Sequence, residues 1–112
     1  MRPESEKLLY DIGRSADRIA AFTLGKSFEQ YRQDDLLRSG VERRFEIIGE
    51  ALRQPSGVEP GIADRITDRR RIVGFRNILV HAYSTVDDRI VWGLIGKSLV
   101  DLRQEVGRLL KE

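Results

Sequence analysis

Apolar positions near the start of the chain recur at spacings of three and four: Leu8, Ile12, Ala16 and Ile19. That period places them on one stripe of a helix. Pro3 suits the first helical turn, where its missing N–H leaves no bond unmade. Glu4 and Glu6 follow it, and negative charge is favoured at the positive end of the helix dipole. Gly25 is the expected stop. Phe28 and Tyr31 fall in a short connection with room for one helical turn.

A second stripe, Leu37, Val41, Phe45, Ile48 and Leu52, predicts a helix capped by Asp34 or Asp35. Arg43, Arg44, Glu46 and Glu50 lie outside that stripe or on its border. The helix should fail near Gln54, because the residue before Pro55 is driven away from helical geometry. The segment PSGVEPG, with two prolines and two glycines, reads as a loop. A short helical piece is expected from Ile62 to Thr67.

The segment DRRRIVGFRNILVH carries Ile72, Phe75, Ile78, Leu79 and Val80 as apolar positions. Its β-branched content permits a strand, but no second strand is available to pair with it. A lone strand leaves its backbone groups unbonded, so helix is the better reading. The segment AYSTVDD breaks it. Thr85 or Asp87 can cap a last helix that carries Ile90, Leu94, Leu99, Leu102, Val106 and Leu109. Four main helices with short connections predict an all-α, antiparallel bundle of four to five helices, in one domain spanning residues 1–112. Gly49, Gly74, Gly93 and Gly96 lie inside predicted helices, where each costs about 1 kcal/mol against alanine. Close helix–helix contact, within a subunit or between subunits, would account for them.

Composition narrows the function classes. The chain has no cysteine, which removes disulfides, thiolate nucleophiles and cysteine metal sites. There is no signal-like N-terminus and no apolar run near the roughly 20 residues of a membrane span, so a cytoplasmic protein is expected. The net charge is only +2, too little to argue nucleic-acid binding from bulk charge. Arginine nevertheless supplies 16 of the 20 basic residues. Its planar fork suits bidentate contact with phosphate or carboxylate. The 18 acidic residues can pair with most of these arginines on solvated helix faces.

The candidate chemistry lies in RNILVHAY, Arg76 to Tyr83, which holds the chain's one histidine, His81. On an ideal helix Arg76 and Tyr83 share a face and His81 points away from both. The three converge only if the helix ends near His81 or a second subunit completes the site. Histidine moves protons near neutral pH, and arginine stabilises charge on phosphate oxygens. Together they suit cleavage of an RNA phosphodiester by its own 2′-hydroxyl, with no metal or other cofactor required. Such cleavage wants both an acid and a base. One histidine per chain therefore makes a symmetric dimer the natural setting. The plainer reading is structural: a histidine near a helix C-terminus is stabilised by the dipole, and a tyrosine there packs its ring.

The stretch GFRNILVHAYSTVDDRIVW resembles the signature of the HepT-like proteins of the HEPN superfamily, Arg-x4-His-x-Tyr with a polar residue after the Arg. Arg76, Asn77, His81 and Tyr83 fill it. VERRFEIIGEALR upstream and VDDRIVWGLIGKSL downstream resemble the family's second long helix and its final helix. The resemblance implies a HEPN-like bundle, a homodimer and a metal-independent RNA endonuclease with Arg76 and His81 at the dimer cleft, supported by Asn77. It further implies the toxin of a type II toxin–antitoxin system, whose antitoxin is a minimal nucleotidyltransferase that transfers AMP to Tyr83. The chain departs from many relatives where they carry an aromatic residue shortly before the Arg. Here that region is DRRRIVG, and the one tryptophan, Trp92, lies downstream. Arg69, Arg70 and Arg71 could hold RNA phosphates there, with solvent or partner contact the preferred reading.

Glu46 and Glu50 are candidates for orienting Arg76, with surface pairing to Arg43 or Arg53 as the structural alternative. Two rival functions remain beside the ribonuclease. One is a non-catalytic helical dimer serving as the accessory, nucleotide-binding subunit of a nucleotidyltransferase. The other is a purely structural dimer.

Overall fold

The computed structural model describes residues 1–112, and every element in it is helical. In chain order these are α1 (Pro3–Thr23), α2 (Phe28–Gln33), α3 (Asp35–Leu52), α4 (Pro60–Ala63), α5 (Arg69–His81), a 3-10 turn (Tyr83–Thr85), α6 (Asp88–Gly96) and α7 (Ser98–Lys111). Helix α1 packs along α3 on one flank and α7 on the other, while α5 packs chiefly on α3. Helix α6 rests against α7 and α2. One hydrophobic cluster joins them, with Leu9, Ile12, Ile19, Val41, Phe45, Ile48, Leu52, Ile72, Leu99 and Leu102 at its centre. No helix is long and apolar enough to cross a membrane.

The boundaries follow local chemistry. Gly25 turns the chain after α1 with a φ of 73°, a left-handed value that suits glycine. Ser27 and Gln30 form a reciprocal capping box at the start of α2. The Asp34 carboxylate accepts from Leu37 N at 3.0 Å and starts α3. Asp87 accepts from Arg89 N at 2.9 Å and starts α6. Thr85 instead hydrogen-bonds the Ala82 carbonyl.

Three details differ from the sequence expectation. The single turn expected from Ile62 to Thr67 forms earlier, over Pro60–Ala63, because Pro60 is preorganised for a first helical position. The expected continuous last helix is kinked at Lys97 (φ −130°, ψ −66°), which separates α6 from α7. Gly93 and Gly96 weaken the helix before that point. Just after it the buried Ser98 hydroxyl hydrogen-bonds the Asp68 carboxylate at 2.7 Å, fastening α7 to the start of α5. Of the four glycines expected at close helix contacts, only Gly49 meets a neighbouring helix; Gly74, Gly93 and Gly96 have open space where a Cβ would sit.

Candidate functional site around Arg76

Helix α5 is aimed by its apolar side. Ile72 and Phe75 are buried, and the Phe75 ring meets Phe45 of α3 edge-on at 5.5 Å between centroids. The next residue, Arg76, lies against α3 where Gly49 leaves space for it. A Cβ on Gly49 would sit 2.2 Å from Arg76 Cβ and 2.7 Å from its Cγ. The glycine is therefore a steric requirement for the course of the arginine side chain. It brings Arg76 to rest with only 14% of its side chain exposed.

Glu50, one residue after that glycine, holds the guanidinium. Arg76 Nη2 lies 2.7 Å from Glu50 Oε2, and Arg76 Nη1 donates to Asn77 Oδ1 at 2.9 Å. The Nε–H donor is buried and has no partner. An unmet buried donor of this kind costs about 1–3 kcal/mol, so the ion pair and the packing hold Arg76 in a posture it would not choose alone. Glu50 also accepts from Arg53 Nη2 at 3.2 Å. The hydrogen bond from Arg53, with the charge of Arg76 behind it, keeps the Glu50 carboxyl below the usual carboxylate range. Glu46 takes a different partner: its carboxylate stands 3.6 Å from Arg43 Nη1.

A cavity of about 370 Å³ opens beside this cluster, between α1 and α3. Leu8, Ile47 and Ala51 give it an apolar wall, and Asp11, Arg43, Glu46, Glu50 and Arg76 give it a charged one. Ser56 closes one side from the loop after α3. That loop folds back tightly: Val58 N donates to the Ala51 carbonyl at 2.7 Å. A Cβ on Gly57 would strike that same carbonyl oxygen at 2.2 Å.

His81 and Tyr83 lie elsewhere on the chain. Helix α5 ends at His81, and Ala82 N closes the last turn on the Ile78 carbonyl at 2.8 Å. Five helical residues rotate the chain by about 140° beyond a full turn, so His81 leaves α5 in a different direction from Arg76. His81 is exposed, and Tyr83, in the 3-10 turn, is 77% exposed. No hydrogen bond joins either to Arg76, and neither lines its cavity. Within one chain the fold thus brings together Arg76, Asn77 and Glu50 and leaves His81 and Tyr83 facing outward. Arg69 pairs with Asp64 at 3.3 Å, whereas Arg70 and Arg71 are exposed without an ion pair. No three acidic or histidine side chains converge in an arrangement that could hold a metal ion.

The cavity residues Leu8, Asp11 and Ser56 were not singled out by sequence reasoning. Leu8 carried only its place in the helical stripe, and Asp11 only a pairing distance to Lys7 four residues earlier. Ser56 carried no signal, because its position depends on how the loop folds back.

The chain is similar to known proteins over nearly its whole length. A family described as ribonuclease HepT-like matches residues 12–109. A protein of Methanocaldococcus jannaschii, named as a candidate RNase, is 30% identical over 100 residues, covering 88% of this chain and 89% of the relative. One of Caldanaerobacter subterraneus subsp. tengcongensis, named in the same way, is 30% identical over 111 residues, covering 99% of this chain and 95% of the relative. A protein of Thermococcus cleftensis named as a probable ribonuclease HepT is 29% identical over 111 residues, covering 99% of this chain and all of the relative. No solved structure matches.

Proposed function

The chain belongs to the HepT-like family of ribonucleases, and from that premise we propose that it is a metal-independent RNA endonuclease using Arg76 and His81 across a homodimer cleft. The observation that carries this reading is the Arg76 guanidinium. It is packed into the α3 seam and pinned by Glu50 at 2.7 Å, five residues before an exposed histidine at a helix end. A cation held in one place stabilises charge developing on a phosphate without reorganising during the reaction.

In this reading one His81 accepts the proton of a ribose 2′-hydroxyl. That oxygen attacks the adjacent phosphorus, and the bond from phosphorus to the 5′-oxygen of the next nucleotide breaks. The partner's His81 supplies a proton to the leaving oxygen, and Arg76 carries the charge on the non-bridging oxygens. Asn77 supports Arg76 through its Oδ1. Glu50 orients it. The products are a 2′,3′-cyclic phosphate and a free 5′-hydroxyl. The outward direction of His81 favours a site completed by a second copy, and Ile78 and Val80, 40% and 37% exposed on α5, supply apolar surface for that contact. The dimer should bury more than about 1,000 Å² in total.

The exposure of Tyr83 supports the remaining part of the reading. The phenol accepts AMP from a nucleotidyltransferase antitoxin, which silences the protein as the toxin of a type II toxin–antitoxin system. The hydroxyl oxygen attacks the α-phosphorus of ATP, pyrophosphate leaves, and the phenolic proton passes to a base of the transferase. The added phosphate then competes for the cation that cleavage needs.

The test is RNA cleavage with EDTA present, with product ends identified by mass spectrometry. Cyclic or 3′-phosphate ends are expected, and Arg76→Ala and His81→Ala should lose them. Cleavage by both variants at the parent rate would overturn the assignment. Incubation with the transferase, ATP and magnesium should place AMP on Tyr83 and not in Tyr83→Phe. Modification confined to Tyr10 would overturn that part.

A further inference from the structure

The mechanism above uses two walls of the cavity between α1 and α3, Glu50 and Arg76, and leaves its interior without an occupant. From its walls we infer that it receives the base of the nucleotide beside the cleaved bond, and that it selects guanine. The inference rests on the reading of Arg76 as the group that meets the scissile phosphate.

Position gives the first argument. Arg76 is itself a wall of the cavity. A phosphate held by Arg76 places the attached ribose at the mouth, and the base of that ribose is the group able to enter. A volume of about 370 Å³ is within the range of pockets that hold small molecules.

Charge gives the second. Three carboxylates, Asp11, Glu46 and Glu50, share the cavity with two guanidinium groups, Arg43 and Arg76. Lys7 and Arg53, from outside the lining, pair with Asp11 and Glu50, so the walls are close to neutral as a whole. Carboxylates are hydrogen-bond acceptors and welcome the N–H donors of a base. The apolar wall of Leu8, Ile47 and Ala51 gives the face of a base a surface to lie on. The cavity therefore offers a base both acceptors and a surface to lie on.

Hydrogen-bonding pattern gives the third. Glu46 and Arg43 stand 3.6 Å apart, too far for a good hydrogen bond, so each keeps capacity to spare. They present an acceptor beside a donor. Single-stranded RNA is read on its Watson–Crick and Hoogsteen edges. Guanine alone among the four bases offers two neighbouring N–H donors, N1–H and N2–H, to one carboxylate. Its O6 and N7 are the preferred bidentate target of arginine. Adenine and cytosine offer a single amino donor on that edge, and uracil one N–H between two carbonyls. Asp11, fastened by Lys7 Nζ at 2.8 Å, adds a second acceptor to the rim.

The test separates this subsite from the ribonuclease reading. His81→Ala protein is titrated with the four nucleoside 3′-monophosphates by calorimetry. In parallel, the wild type is given a randomised RNA and the product ends are sequenced. Guanosine 3′-monophosphate should bind at least about tenfold tighter than the other three, the size of one good bidentate contact. Cleavage should fall beside guanosine. Glu46→Gln and Arg43→Ala should each erase the preference while leaving the thermal midpoint within a few degrees of the parent. Equal binding of all four nucleotides, or a guanine preference unchanged in Glu46→Gln, overturns the inference. So does a dimer in which a second copy fills the cavity, seen as protection of Arg43 from guanidinium-modifying reagents. If the protein selects the guanine nucleotide but cleaves no RNA, the subsite stands and the ribonuclease mechanism falls. If it cleaves without preference, the reverse holds.

Discussion

Helices α5 and α7 have nearly the same length, 13 and 14 residues, yet they are used differently. Helix α7 buries Leu99, Leu102, Val106 and Leu109 in one unbroken stripe against α1, with Ser98 buried at its start. Helix α5 is also rich in apolar residues, but only Ile72 and Phe75 are buried. Beyond them Ile78 and Val80 remain partly in water, and the groups with chemical capacity, Arg76, Asn77 and His81, occupy the same two turns. One helix is committed to the core. The other buries Ile72 and Phe75 fully, packs Val73 and Leu79 partly, and keeps Ile78, Val80 and His81 at the surface.

That contrast predicts a separation of activity from stability. The largest effect belongs to α5: His81→Ala should slow RNA cleavage by roughly 10²–10⁴-fold, the usual contribution of a general acid or base. Because His81 is exposed, its thermal midpoint should move little, within about 0.5 kcal/mol of stability. Helix α7 should behave in the opposite way. Leu102→Ala removes a side chain that is 1% exposed and should cost about 2–5 kcal/mol in chemical denaturation, with kcat preserved at temperatures where the variant is folded. A large stability loss in His81→Ala, or a kcat loss in folded Leu102→Ala, would break the comparison.

The seam between α3 and α5 should mix the two effects. Gly49→Ala drives a methyl group to within 2.2 Å of Arg76 Cβ, and α3 and α5 must separate to accept it. Overpacking of this kind costs about 1–3 kcal/mol. Here it also displaces the guanidinium from Glu50, so kcat should fall in protein shown to be folded by circular dichroism. A variant as stable and active as the parent would mean that Arg76 is not held by this contact.

These contrasts also mark what the sequence could reveal. The stripes of α1 and α3 were legible because burial follows period: Ile12, Ala16, Ile19, Val41, Phe45, Ile48 and Leu52 are all buried, and only Leu8 and Leu37, the first of each stripe, are half-buried. The caps were legible to one of two residues each, with Asp34 and Asp87 taking the role, because a cap acts over two or three residues. The kink at Lys97 was not. The apolar stripe runs through it, and the contact that accompanies it, Ser98 to Asp68, spans 30 residues. Tyr31 sits in a short segment between long stripes, and nothing local shows that its ring is fully buried against Trp92, 5.3 Å away. Around Arg76, the pairing with Glu50 was one of two options on the sequence. The choice depended on which side of α3 meets α5, and Gly49 fixes that. The cavity itself was invisible, because it is formed by α1, α3 and a returning loop.

The smallest expected effect lies where α2, α3 and α6 meet. The Tyr31 hydroxyl is buried without a hydrogen-bond partner, and burial pushes its pKa up, with the charges of Glu42 and Asp88 adding to the rise. Tyr31→Phe removes the orphaned group and keeps the ring, so it should be neutral or stabilising by about 1 kcal/mol. Glu42 suffers in the same corner. Burial first, and then Asp88, push its pKa above the ordinary carboxylate value, while Arg38 pulls it down. A carboxyl with a raised folded pKa binds its proton more tightly in the native state than in the unfolded chain. Stability therefore falls as pH rises from the unfolded value, near 4.3, through the folded one, and the penalty is complete above both. Glu42→Gln removes that penalty. Because the side chain is only partly buried, water screens the effect, and the gain should stay below about 1 kcal/mol at pH 7. At pH 4, where the parent carboxyl is largely protonated in both states, the gain should shrink towards zero. Thermal midpoints of parent and variant at the two pH values are the measurement. An equal gain at both would show that the benefit comes from packing and not from charge.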